Sequence, residues 1–96
     1  MGERNEIEYA DGFLADLGRL PRAIGEKFSF LLELLRENAF DPRLHAKSLG
    51  PPLKDMYSFR IARDWRVGFM SLGKNRIYLL AADHRSKIYK RLRRMV

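Results

Sequence analysis

Cysteine is absent from the 96-residue chain. Its absence excludes a disulfide framework and any thiolate metal site, and it agrees with a reducing compartment. The chain also lacks an apolar run long enough to cross a membrane and a signal-type apolar segment near its amino terminus. We therefore expect a cytoplasmic protein without a membrane partner, in which residues 1–96 form one domain around a modest core.

Acidic residues are scarce where basic residues are dense. Residues 84–96 carry six Lys/Arg and no Asp/Glu, and residues 41–83 carry eight against four. Residues 1–40 have the opposite balance, with five against eight, so the net charge of +7 is concentrated in the carboxyl-terminal half. This asymmetry favours a polyanionic partner such as RNA, and the alternative is a basic tail that only improves solubility.

The apolar pattern changes its period along the chain. Residues 4–9 alternate as a short strand, and helical spacing then predicts helices at about residues 11–20 and 22–37, with Asp11 as a start signal and Pro21 between them. Residues 38–55 contain three prolines and Gly50 without any period, which predicts a loop.

Alternation with a period of two returns after residue 55. It predicts strands at 56–62, 65–71 and 76–82, followed by a basic tail or short helix over residues 86–95. The predicted fold class is α+β, with a helical hairpin packed on one face of a three- or four-stranded antiparallel sheet. The alternation also places Arg60 and Arg66 together on the face opposite Phe59 and Val67.

Four short motifs occur in order over the second half of the chain. They are Leu49-Gly50, Tyr-x-x-Arg-Ile at 57–61, Trp-Arg-Val-x-Phe at 65–69 and His-Arg-x-x-x-Tyr at 84–89. This set resembles the RelE/ParE superfamily of small toxins, and the likeness extends over nearly the whole chain. The resemblance implies the toxin of a type II toxin–antitoxin system.

For the endoribonucleases of that superfamily, the matching positions imply a catalytic set of Arg60, Arg66, Arg85 and Tyr89, to which we add His84. Arginine binds phosphate oxygens through a fixed fork, so Arg66 is the first candidate for a phosphate clamp. Arg60 stands where many relatives have lysine, and arginine does not act as a base because it keeps its proton.

The general acid and base remain open at the level of the sequence. Relatives of the YafQ branch use histidines and an aspartate, and His45, His84 and Asp64 lie near the matching places. Histidine titrates near neutral pH and suits proton transfer, whereas Asp64 also fits an ordinary turn position. Cations can stabilise the phosphate without a metal, so we expect no metal site and no cofactor.

The resemblance implies two functions of different kinds. The first is a metal-independent endoribonuclease that cleaves mRNA on the ribosome, and the alternative is a non-catalytic ParE-like inhibitor of DNA gyrase. A plain RNA-binding domain is a third reading. The expected partners are an antitoxin with an acidic or amphipathic segment, mRNA and the ribosome. The expected RNA-binding cations of the carboxyl-terminal segment are Lys87, Lys90, Arg91, Arg93 and Arg94.

Overall fold

The computed structural model describes residues 4–95. The elements in chain order are β1 (Glu6–Tyr9), α1 (Phe13–Arg19), α2 (Arg22–Glu37), a 3-10 turn (Pro42–Leu44), β2 (Lys47–Ser48), β3 (Met56–Ala62), β4 (Trp65–Ser71), β5 (Arg76–His84) and α3 (Arg85–Arg93). The strands form a single sheet in the order β1-β5-β4-β3-β2.

The predicted α+β class is confirmed, and three details of the prediction are wrong. The sheet has five strands rather than three or four, and β1 runs parallel to β5 while the other pairs are antiparallel. The predicted loop at 38–55 contains the 3-10 turn and β2. Finally, Asp11 does not start α1, because Gly12 takes the cap position in a left-handed conformation with φ 86°.

One face of the sheet is covered by α1 and α2. Phe13 of α1 and Phe28 and Leu35 of α2 pack there against Phe59 of β3 and Phe69 of β4. These side chains follow the helical and alternating spacings of the sequence, so the apolar stripes predict the main core directly. The removal of these apolar side chains from water is the principal contribution to the stability of the fold.

The other face of the sheet holds α3, which confirms the short-helix alternative for the basic segment. Ile88 and Leu92 are fully buried against Leu80 and Ala81 of β5. Gly68 lies beneath the helix, where a Cβ atom would come within 2.5 Å of Leu92 Cδ2. The missing side chain at Gly68 therefore lets α3 approach the sheet closely.

The buried carboxylate of Asp16 binds the part of β5 that has no neighbouring strand on the β1 side. Because β1 pairs with β5 only as far as Leu79, the backbone of Ala82 lies beyond the end of β1. Asp16 accepts a hydrogen bond from the Ala82 amide at 3.0 Å, and Arg91 donates to the Ala82 carbonyl at 3.4 Å. Arg91 also pairs with Asp16 at 3.0 Å and with Asp83 at 3.1 Å. These contacts satisfy the backbone of Ala82 and connect α1 with α3.

Within residues 4–95, no helix has the length and apolar character needed to cross a bilayer. The same described residues contain no group of three His, Asp or Glu side chains placed to hold a metal ion.

Candidate functional site

A cationic cavity of about 200 Å³ opens on the α3 side of the sheet; we call it the inner pocket. Its lining comes from the segment before β2 and from strands β2, β3 and β4. The lining residues are His45, Lys47, Ser58, Phe59, Arg60 and Arg66.

Strand register brings these polar side chains together. Lys47 is paired with Ser58 across β2 and β3, and Arg60 is paired with Arg66 across β3 and β4. Side chains at directly paired positions share a face and lie close to each other. The two arginines predicted to share a face therefore stand side by side in adjacent strands.

The two arginines differ in what holds them. Arg66 Nη1 donates to the carbonyls of Ala62 at 3.0 Å, Arg63 at 2.9 Å and Trp65 at 3.2 Å, so the β3–β4 turn fixes its guanidinium. Among residues 4–95, the side chain of Arg60 has no hydrogen bond or ion pair. Two like charges side by side repel each other, and a bound anion would relieve that repulsion.

Tyr89 extends from α3 to the rim of this pocket. Lys47 Nζ lies 5.7 Å from the centre of its ring, and the Tyr89 hydroxyl is near enough to Ser58 and Lys47 for both residues to affect its pKa. Burial by itself raises the pKa of Tyr89. The hydrogen bond from Ser58, the charge and hydrogen bond of Lys47 and the charge of Arg66 outweigh burial, so the pKa lies below its ordinary value of 10.0.

Of the three candidate acid and base residues, His45 lines the inner pocket, whereas Asp64 and His84 lie around the β3–β4 turn. Asp64 pairs with Arg85 at 3.3 Å, and both side chains are about half exposed. His84 Nδ1 accepts a hydrogen bond from the Ser86 amide at 3.1 Å and thereby caps α3. A neutral His84 consequently carries its proton on Nε2.

The basic residues of α3 divide into two groups. Arg85, Lys87, Lys90 and Arg93 are exposed, as is the capping residue Arg94, and Lys87, Lys90 and Arg94 border a shallow groove along the helix. Arg91 instead faces Asp16 and Asp83. Burial lowers the pKa of Arg91, but its hydrogen bonds to these two carboxylates raise the pKa by more. Arg91 therefore contributes to the fold, in contrast to its exposed neighbours.

Sequence reasoning missed Lys47 and Ser58. The alternation of β3 does place Ser58 on the face of Arg60, but it gave Ser58 no role in the site. Lys47 lies in a segment without periodicity, and only the pairing of β2 with β3 brings it to the pocket. Asp16 was also missed, although a signal was present. It lies three residues after Phe13, which places its carboxyl group on the buried face of α1.

The fold and the pocket define a small α+β protein with a cationic site beside its carboxyl-terminal helix. No family model matches the chain, and no curated protein matches it. Solved structures do match.

A chain of the RelB–RelE antitoxin–toxin complex from Methanococcus jannaschii is 22% identical with a TM-score of 0.72, over 88% of this chain and 96% of that chain. A chain of the RelE–RelB complex from Pyrococcus horikoshii OT3 is 20% identical with a TM-score of 0.69, over 91% and 99%. A chain of the Escherichia coli DinJ–YafQ complex is 16% identical with a TM-score of 0.72, over 90% and 98%. The protein has the same fold as these chains of RelE–RelB and DinJ–YafQ complexes, which confirms the fold that the motif resemblance implied.

Proposed function

We propose that this protein is the toxin of a type II toxin–antitoxin pair and that it cleaves mRNA on the ribosome without a metal ion. The observation that carries the proposal is the inner pocket, where paired Arg60 and Arg66 stand with Lys47 next to a tyrosine of lowered pKa. Cations placed around one cavity suit a phosphodiester, whose negative charge increases in the transition state.

Roles follow from position and proton chemistry. Arg60 and Arg66 bind the oxygens of the scissile phosphate, and the backbone contacts of Arg66 hold its guanidinium ready for this role. The Tyr89 phenolate accepts the proton of the 2′-hydroxyl, since its lowered pKa makes this form more accessible. His45, which lines the same pocket, supplies the proton to the departing oxygen.

In this reaction a bond forms between the 2′-oxygen and phosphorus while the bond from phosphorus to the 5′-oxygen breaks. The 2′-hydroxyl proton moves to Tyr89, and the 5′-oxygen takes a proton from the His45 imidazolium. The products are a 2′,3′-cyclic phosphate and a 5′-hydroxyl. His84 is less suited to act as the base, because its Nδ1 is occupied by the cap of α3.

We further propose that the partner is an antitoxin with an acidic segment that covers the inner pocket or the exposed cations of α3. Two observations support this. The similar structures from Methanococcus jannaschii and Pyrococcus horikoshii are complexes of RelE with RelB. In addition, four basic residues of α3 are exposed, and they offer a surface of complementary charge.

The test measures mRNA cleavage on programmed ribosomes. Arg60→Gln is the primary variant because no described residue depends on the Arg60 side chain. Loss of one charge-stabilising donor is expected to lower the cleavage rate by roughly two to three orders of magnitude. Arg66→Ala should lower it at least as much, but it also removes the contacts that hold the β3–β4 turn. Arg66→Lys therefore accompanies it, because it keeps the charge and removes the fork.

Lys74→Gln is the matched control, since Lys74 is an exposed cation in the turn between β4 and β5, at the opposite end of β4. It should cleave at the wild-type rate. Circular dichroism confirms that each variant is folded. Wild-type cleavage by folded Arg60→Gln contradicts the assignment of the pocket. If the wild-type protein cuts no RNA and instead blocks supercoiling by gyrase, the ParE-like alternative replaces the proposal.

A further inference from the structure

A second cationic cavity adjoins the inner pocket and has no role in the reaction described above. This outer pocket has a volume of about 310 Å³ and lies between α2, the 3-10 turn and the end of β3. Its basic side chains are Lys27, Arg43, His45, Arg60 and Arg63.

The charge of the outer pocket is largely uncompensated. Lys27, Arg60 and Arg63 are exposed, and none of the three side chains has an ion pair among residues 4–95. Arg43 is paired with Asp41 at 2.9 Å, so its charge is partly offset. No carboxylate lines the cavity itself. Several cations around one cavity repel each other, and an anion bound between them would stabilise the arrangement.

The two pockets form one continuous track. His45 and Arg60 line both of them, so an anionic chain held in the inner pocket can continue into the outer pocket. The outer pocket has no aromatic side chain in its lining, and its apolar part is limited to Leu31, Ile61 and Ala62. It therefore provides no stacking surface for a base and suits the sugar–phosphate backbone.

We propose that the outer pocket is a second phosphate subsite that binds, through Lys27 and Arg63, a phosphate of the same RNA strand next to the one in the inner pocket. The inference rests on the proposed function in taking single-stranded RNA as the ligand. It adds that contact with RNA extends past the reacting phosphate, towards α2, and that this contact is independent of base sequence.

The test uses a single-stranded 2′-O-methyl hexanucleotide, which lacks the 2′-hydroxyl needed for cleavage. Its affinity is measured by fluorescence anisotropy over a range of salt concentrations. The double variant Lys27→Gln/Arg63→Gln should bind several-fold more weakly at low salt. The slope of log affinity against log salt should fall in magnitude by about 0.7 for each phosphate contact that is lost. The double variant Lys54→Gln/Lys74→Gln removes two exposed cations that line neither pocket, and it should keep the wild-type slope.

Equal loss in both double variants would mean diffuse electrostatic attraction and would overturn the subsite. An unchanged slope in Lys27→Gln/Arg63→Gln overturns it as well, and so does a wild-type protein that does not bind the hexanucleotide. If this double variant weakens binding of an acidic peptide but not of RNA, the pocket belongs to a protein partner. Cleavage on ribosomes is scored separately. A reduced slope in a protein that cuts no mRNA keeps the subsite and refutes only the proposed catalysis.

Discussion

Substitution of Asp16 by asparagine should strongly destabilise the fold, although Asp16 belongs to neither pocket. The Asp16 side chain is 1% exposed, it accepts hydrogen bonds from the Ala82 amide and from Arg19, and it forms an ion pair with Arg91. Asparagine has the same shape as aspartate but only one acceptor oxygen. Its NH2 group is a donor, and it would face partners of Asp16 that are donors as well. At least one buried contact is therefore lost, and Arg91 keeps a charge that has lost one of its partners.

The magnitude follows from the burial of the partners. Removal of one member of a buried ion pair typically costs about 3–5 kcal/mol in the free energy of unfolding. We expect a value near the lower end, about 3 kcal/mol, because the Arg91 side chain is 30% exposed and also pairs with Asp83. For a domain of this length, each kcal/mol lowers the melting temperature by about 4–8 °C, so a decrease of more than about 10 °C is expected. Thermal unfolding followed by circular dichroism measures it.

Two comparisons isolate the cause. Arg19→Gln removes the partner that is 68% exposed, and it should cost no more than about 1 kcal/mol, as surface ion pairs do. The double variant Asp16→Asn/Arg91→Met should lose less than the sum of the single variants, because the unpaired charge is gone. If Asp16→Asn melts within about 2 °C of the wild type, the carboxylate does not hold the edge of β5 and the reasoning is refuted.

Two further predictions concern the packing of α3 and the pKa of Tyr89. Gly68→Ala should lower the free energy of unfolding by about 1–3 kcal/mol, because the new Cβ would lie 2.5 Å from Leu92 Cδ2; denaturant unfolding measures this. Ser58→Ala should raise the pKa of Tyr89 towards 10.0, since it removes a hydrogen bond that lowers this pKa; phenolate absorbance as a function of pH measures that.

Each of these two predictions has a control variant at another position of the same chain. Gly25→Ala in α2 meets no atom within 4 Å and should be neutral or stabilising, so equal destabilisation by both glycine variants would contradict the close approach of α3. Tyr89→Phe identifies which phenolate transition belongs to Tyr89. Because the folded-state pKa of Tyr89 is lowered, its ionisation adds stability as the pH rises through that pKa, and this stability is lost as the pH falls again. A transition that is unchanged in Ser58→Ala contradicts the role of Ser58.

The sequence predicted those parts of the fold and site that depend on regular spacing. The apolar stripe of α2 predicts its bounds, and alternation in β3 and β4 predicts that Arg60 and Arg66 share a face. Which strands pair with each other is harder to predict from the sequence. A strand of two residues such as β2 is too short to show a period, so nothing local indicates that Lys47 joins the site. The parallel pairing of β1 with β5 is likewise a long-range contact that the local pattern of β1 does not determine.

The basic segment shows why charge and burial have to be considered together. Counted by charge alone, Arg91 is one of six equivalent cations after residue 83. It lies three residues after Ile88 and next to Leu92, both fully buried, so its guanidinium lies at the boundary between the core and the solvent. A truncation of residues 90–96 would remove this anchor together with the exposed cations. Point substitutions of Arg93 and Arg94, which are exposed, separate electrostatic attraction from folding.

The position of Tyr89 links the core to the proposed chemistry. Tyr89 directly follows Ile88 and precedes Arg91 and Leu92, the residues that fix α3 on the sheet. Its hydroxyl can stay near Ser58 only while the helix stays close to Gly68. The missing side chain at Gly68 and the ion pairs of Arg91 with Asp16 and Asp83 therefore set the position of α3, and with it the position of Tyr89 in the site. Arg60 and Arg66, by contrast, are placed by strand register and do not depend on α3. It follows that displacement of α3 would move Tyr89 away from the rim of the inner pocket and leave the paired arginines of the pocket in place.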